Sequence, residues 1–218
     1  MPKSPLPQLS FELLTANIRA AYYAAKQYPS LFEQGLNWYN AAKLEAEKIA
    51  RRNGATLDIA IGVISALSPR NAWDRNLIDT EMVLQAFNSG RLPEDIKVCT
   101  FHANKLKAFE IASGKPALDK LTSNKTRCFY LNILDPKRPD IVTIDGHATH
   151  IALDYSSPLD NAPALSDKVY QIFSQAYMRA TAEINADSLE RDVIPSQLQA
   201  VTWAYYRVIK GIDKSFKV

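Results

Sequence analysis

Two short segments hold the residue types that could do chemistry. The first is Asn124-Lys125-Thr126-Arg127 and the second is Val142-Thr143-Ile144-Asp145-Gly146-His147, with Asp145 twenty positions after Lys125. An aspartate ahead of Gly-His-Ala-Thr-His-Ile-Ala-Leu is a strong helix N-cap, because its carboxylate accepts the first free backbone N–H groups. Capping and catalysis are not exclusive. A helix N-terminus favours negative charge, and a carboxylate held there can answer a cationic transition state. Lys125 near a helix start reads first as a surface charge. It becomes a nucleophile only as the neutral amine, a form that burial or a neighbouring cation such as Arg127 favours. Asp145, His147 and His150 also suggest a metal set, since the two histidines lie three apart on one helix. A third firm ligand and a catalytic glutamate are missing, so the expectation is no metal and no cofactor. His147 is expected to orient Asp145 or to pack at the helix start, and His150 to sit in the core or on the surface.

The elements that must carry these residues are helical. Apolar positions recur at helical spacing in Leu14/Ile18/Ala21/Ala25, Tyr39/Ala42/Ala46/Ile49, Val169/Phe173/Ala176/Ala180 and Leu198/Val201/Tyr205/Val208. Gly54, Gly90, Gly114 and Gly211 each follow such a segment, as helix-ending residues do. Ser30-x-x-Glu33 and Ser196-x-x-Gln199, each preceded by proline, read as capping boxes. Leu57 to Leu67 is apolar on every side and predicts a helix buried in the centre. Alternating patterns are nearly absent, with Asp140 to Ile144 the one short strand candidate. Prolines at 2, 5 and 7 predict a loose tail, and loops are expected at 90–99, 135–140 and 156–165. The pattern predicts an all-α protein of roughly nine or ten helices.

The two chemical segments together resemble the active-site half of the helix-hairpin-helix DNA glycosylases. A Lys-Thr pair opening an apolar helix is followed there, after a short loop, by an apolar-Asp-x-His that opens another. The resemblance implies that Asp145 is the essential carboxylate and that Lys125, where used, attacks the sugar carbon. It also implies supporting roles for His147, Thr126 and Arg127, and a cleft between two lobes that receives a flipped-out base. A second patch, Ile64-Ser65-Ala66-Leu67-Ser68-Pro69-Arg70-Asn71-Ala72-Trp73 with Asn76, resembles the family's buried helix and the loop that fills the gap left by the base. That puts Ser68, Arg70, Asn71 and Trp73 against DNA. The helix Phe101-His102-Ala103-Asn104-Lys105-Leu106-Lys107-Ala108 resembles the family's basic helix, adding Lys105 and Lys107. The family hairpin Leu-Pro-Gly-x-Gly, which grips a phosphate through glycine amides, is replaced by Leu121-Thr122-Ser123-Asn124; Ser123 and Asn124 are left as its polar contacts. No cysteine cluster follows for an iron–sulfur element, and the loop from Asp135 to Asp140 is longer than usual. The similarity spans about residues 56 to 155. The Ser-Pro-x-x-x-Trp form and the Gln199-Ala200-Val201-Thr202-Trp203 tail resemble a divergent branch associated with phages or mobile elements.

Composition bounds these readings. The chain has 218 residues, 47% hydrophobic and 22% charged, enough for a sizeable core and against disorder. No apolar run reaches the roughly eighteen residues of a membrane span. The N-terminal Met1-Pro2-Lys3-Ser4-Pro5 lacks the apolar region of a signal peptide. Cys99 and Cys128 are too few for a disulfide framework. An intracellular, cytoplasmic and nucleoid-associated monomer without membrane contact is the expectation. Net charge is +3, unevenly spread: Lys97 to Arg138 holds nine basic residues against three acids. That concentration suits a polyanion, although a solvated lysine-rich surface gives the same count.

The expectation is therefore a two-lobed helix-hairpin-helix glycosylase-like fold. Its central lobe spans 56–134, and its other lobe combines 8–55 with 141–210. Its activity would be removal of a damaged or modified base flipped from double-stranded DNA, with an associated lyase step through Lys125. The competing readings are a DNA-binding protein that kept the scaffold without the chemistry, and an enzyme that modifies a hypermodified base instead of excising it.

Overall fold

A computed structural model describes residues 10–154, 165–187 and 192–213. The expected loose tail around the first prolines and nearly all of the 156–165 loop lie outside them. Among the described residues there are eleven α-helices, one 3-10 turn at Pro93–Asp95 and no strand. The helices are α1 (Phe11–Ala25), α2 (Pro29–Leu36), α3 (Trp38–Asn53), α4 (Leu57–Leu67), α5 (Trp73–Asn88) and α6 (His102–Ala112). They continue with α7 (Ala117–Lys120), α8 (Asn124–Leu134), α9 (Gly146–Leu153), α10 (Asp167–Asp187) and α11 (Pro195–Ile209). The chain forms two compact units, residues 1–39 with 137–218, and residues 40–136. The division falls at Tyr39, so nearly all of α3 belongs to the central unit; the sequence reading had placed residues up to 55 with the chain ends.

In the central unit α4 is the axis. Residues Ala60 to Leu67 are all buried, and α5, α6, α7 and α8 pack on the helix. Thr56 caps its start by accepting from the Ile59 N–H at 3.2 Å. Gly62 lets α6 and α7 come close: a Cβ there would meet Ile111 Cγ2 and Ala117 Cβ, each at 2.8 Å. The Tyr130 hydroxyl of α8 donates to the Asp58 carboxylate on the first turn of α4.

In the unit built from the chain ends, α1 packs on α9, α10 and α11, and α2 lies along α11. The expected apolar stripes are the buried ones. Val169/Phe173/Ala176/Ala180 is buried throughout, as is the Tyr39/Ala42/Ala46/Ile49 set, whose last three members lie in the central unit; Ala21 and Tyr205 are the half-buried members of the other two sets. Gly35 presses α2 onto α11 so closely that a Cβ would lie 2.6 Å from the Val201 Cα.

Three expectations are corrected. The capping serines do not cap: α2 begins at Pro29 and α11 at Pro195, each proline at the first turn, so Ser30 and Ser196 lie inside their helices. Proline's fixed φ and missing N–H suit the first helical position, which moves the start ahead of the serine. At α11 the reciprocal bond comes from Gln197, which accepts from the Ile194 N–H at 3.2 Å. Asp140 to Ile144 forms no strand. Its backbone groups are taken by a side chain instead: the Tyr170 hydroxyl donates to the Val142 carbonyl and accepts from the Ile144 N–H, both at 3.0 Å. The helix number exceeds the expected nine or ten, because Asn37 separates α2 from α3 and the four-residue α7 stands apart.

Candidate active site

Asp145 is held by both of its carboxylate oxygens. It is the N-cap of α9, with Oδ1 accepting from the Ala148 N–H at 2.8 Å. Oδ2 accepts from the indole N–H of Trp203 on α11 at 3.2 Å. The segment that delivers it is clamped by α10. Tyr170 fixes Val142 and Ile144, and Tyr177, two turns further along the same face, donates to the Ala148 carbonyl at 3.3 Å. Burial pushes the Tyr177 phenol well above its ordinary value, so it remains a donor. Asp145 itself is half-buried.

The indole that holds this carboxylate is itself packed against other side chains. The Trp203 indole has the Arg207 guanidinium 4.4 Å over its centroid, Trp38 at 6.0 Å and His147 at 6.3 Å, the two rings tilted by 64° and 72°. His147 also lies 5.5 Å from Tyr206. His150, fully buried, shares a hydrogen bond of 3.3 Å between its Nδ1 and the Tyr206 hydroxyl. Burial lowers the His150 pKa, and the His147 and Lys210 charges act in the same direction while Asp145 opposes them. Burial also raises Tyr206. His147 therefore stands two residues after Asp145 in sequence and beside Trp203 in space, whereas His150 is a core residue. Sequence reasoning passed over Trp38, Tyr206 and Arg207 and noted Trp203 only as part of a tail. A carboxylate fixed by one N–H cap and one indole N–H is a preorganised negative charge, suited to a cationic group.

The remaining expected residues lie in the central unit. Ser123 caps α8, accepting from the Thr126 N–H at 3.3 Å, and Thr126 is buried with its hydroxyl donated to the Ser123 carbonyl at 3.0 Å. Lys125 and Asn124 are half-buried in the first turn. Arg127 turns back onto α7 and its C-cap, donating to the carbonyls of Leu118 at 2.8 Å and Leu121 at 3.4 Å. Lys107 Nζ donates to Thr122 Oγ1 at 2.9 Å.

The expectation that Lys105 faces phosphates is corrected. It is buried, and its ammonium donates to the Ile96 carbonyl at 2.9 Å, anchoring the segment before α6. Its own helix turns it inward, since Ala108, Phe109 and Ala112 share its face.

The loop after α4 is tightly tied. Ser68 Oγ donates to the Ser65 carbonyl at 3.0 Å, and Thr100 Oγ1 donates to the Pro69 carbonyl at 2.8 Å. Asp79, fully buried, accepts from Asn71 Nδ2 at 2.9 Å, the Cys99 N–H at 2.8 Å and Arg75 Nε at 2.8 Å. Trp73 is the half-buried first residue of α5. Arg70 stands at the exposed tip with a left-handed φ of 57°, its guanidinium 5.7 Å from the centre of the exposed Phe101 ring. Holding a side chain in that region costs about 1–2 kcal/mol, which the ties on either side offset.

Among the described residues, no three His, Cys, Asp or Glu side chains gather to hold a metal ion, and no helix is long and apolar enough to cross a membrane. The fold and site define an all-helical protein with a capped, indole-bonded carboxylate. The chain belongs to DUF7178, a family of unknown function whose model matches residues 3–210. No curated protein and no solved structure matches it.

Proposed function

We propose that this protein is a DNA N-glycosylase with a helix-hairpin-helix glycosylase-like fold. It would remove a damaged or modified base from DNA, using Asp145 as its essential carboxylate. One observation carries the reading: the carboxylate of the half-buried Asp145 is fixed on both oxygens, one of them by an indole N–H whose ring packs against His147. Breaking the N-glycosidic bond sends its electron pair to the base nitrogen and leaves positive charge on the sugar. A carboxylate preorganised beside that sugar stabilises the charge, and it accepts the proton of the water that attacks C1′. Ring faces near it suit an extruded base. Lys125 is the amine for an associated lyase step. It would replace water at C1′, form a Schiff base after ring opening, and promote loss of a C2′ proton with departure of the 3′ phosphate.

The test is incubation of the protein with DNA carrying assorted modified bases, with free base read by mass spectrometry. Release should be lost in Asp145→Asn. Borohydride should trap wild type on DNA and fail to trap Lys125→Gln. DNA that is bound without any base release, equally by wild type and Asp145→Asn, would establish a binding protein instead.

A further inference from the structure

We propose that Arg207 is the positioning residue of the Asp145 carboxylate, acting through the indole of Trp203. The carboxylate has two anchors of different kinds. The Ala148 N–H belongs to the backbone of α9 and comes with the cap. The Trp203 N–H belongs to a side chain on another helix, so Oδ2 is held only as well as the indole is held.

Trp203 and Arg207 are four apart on α11, which lays the guanidinium over the ring at 4.4 Å. That is nearer than either of the rings that flank the indole, Trp38 at 6.0 Å and His147 at 6.3 Å. A cation over an indole face is attracted by the ring and draws electron density from it, which makes the N–H a better donor to an anion. The Arg207 Nε is buried and takes no hydrogen bond among the described residues. Leaving a donor unsatisfied is unfavourable, so stacking on Trp203 is the contact that accounts for where this guanidinium lies. The chain of contacts runs cation, ring, N–H, carboxylate, each link set by one residue.

The kinetic part of the inference rests on the base-excision reading; the structural part does not. The test uses the full chain labelled with nitrogen-15, with the indole signals of Trp38, Trp73 and Trp203 assigned from Trp→Phe variants. Arg207→Met should speed hydrogen exchange of the Trp203 indole N–H by about threefold to tenfold and shift its resonance, while the Trp73 signal stays fixed. Arg207→Lys, which keeps the cation without the planar fork, should recover part of both changes. In the base-release assay Arg207→Met should lower kcat by a similar factor at unchanged KM. Thermal melts accompany each variant, and Arg207→Gln replaces Arg207→Met if that protein does not fold. An unmoved Trp203 signal, or a loss that Arg207→Lys leaves undiminished, overturns the proposal. Wild type that releases no base ends the excision reading alone, and the indole signal still decides the relay.

Discussion

Asp145→Asn is the natural test of the carboxylate, and the structure indicates that it is not a silent isostere. The side chain faces two donors, the Ala148 N–H at 2.8 Å and the Trp203 indole N–H at 3.2 Å. An asparagine offers one oxygen and one NH₂ group, so one donor must meet another donor. The shorter cap bond keeps the oxygen, and the indole then loses its acceptor. An unsatisfied partner costs about 1–3 kcal/mol, and the half-exposure of both residues puts this case near the lower end, about 1–1.5 kcal/mol. Trp203→Phe removes the opposing N–H, so the asparagine should cost less in that background, by about 1 kcal/mol. Urea unfolding of wild type, both single variants and the double variant, followed by circular dichroism, measures the coupling. Effects that add to within about 0.5 kcal/mol would show that the indole–carboxylate bond contributes nothing. Base release is then read at a temperature where all four proteins are folded. Turnover of Asp145→Asn within about tenfold of wild type would remove Asp145 from the chemistry, since a central catalytic group is worth more than roughly 1.4 kcal/mol.

Three further outcomes are expected. Because burial lowers the His150 pKa below that of the unfolded chain, the unfolded state binds the extra proton first; unfolding free energy should fall as pH drops below about 6.5, and His150→Gln should flatten that slope in urea titrations across pH 4 to 8. Gly35→Ala places a methyl 2.6 Å from a backbone atom of α11 and should destabilise by roughly 2–3 kcal/mol, and a midpoint shift near zero would show that α2 can slide. Arg70→Ala should impair base release from a duplex far more than from a single strand, because only the duplex base must be pulled from a stack; equal losses on both would take the loop out of the mechanism.

The helices were legible in the sequence because their apolar stripes are wide and regular, and α4 because it is apolar all round. The cap at Asp145 was legible too, being a local pattern of a short polar residue before a helix. The indole partner was not, because Trp203 lies 58 positions away and only packing brings α11 to α9. A local trace of it existed: an arginine four residues after a tryptophan on one helix face. Likeness to a basic helix turned Lys105 toward DNA, whereas helical phase, with Ala108, Phe109 and Ala112 on its side, places it inside. Asp79 gave no signal, since its three donors come from a loop, its own helix and a distant segment. The alternation at Asp140 to Ile144 did not yield a strand, because alternation alone does not say whether another strand or a single phenol takes the hydrogen bonds.

That phenol has a consequence for how freely the chain can vary. Tyr170 meets Val142 and Ile144 directly upstream of Asp145, and the cap grips immediately after it, so the register of the carboxylate is set within a few residues on either side. The stretch from Pro136 to Asp140 lies before the first of these grips. Residues can be added or removed there without advancing Asp145 along its path, as slack in a rope does not move a point that is cleated further on. Loop length in this protein is thereby uncoupled from the placement of its carboxylate.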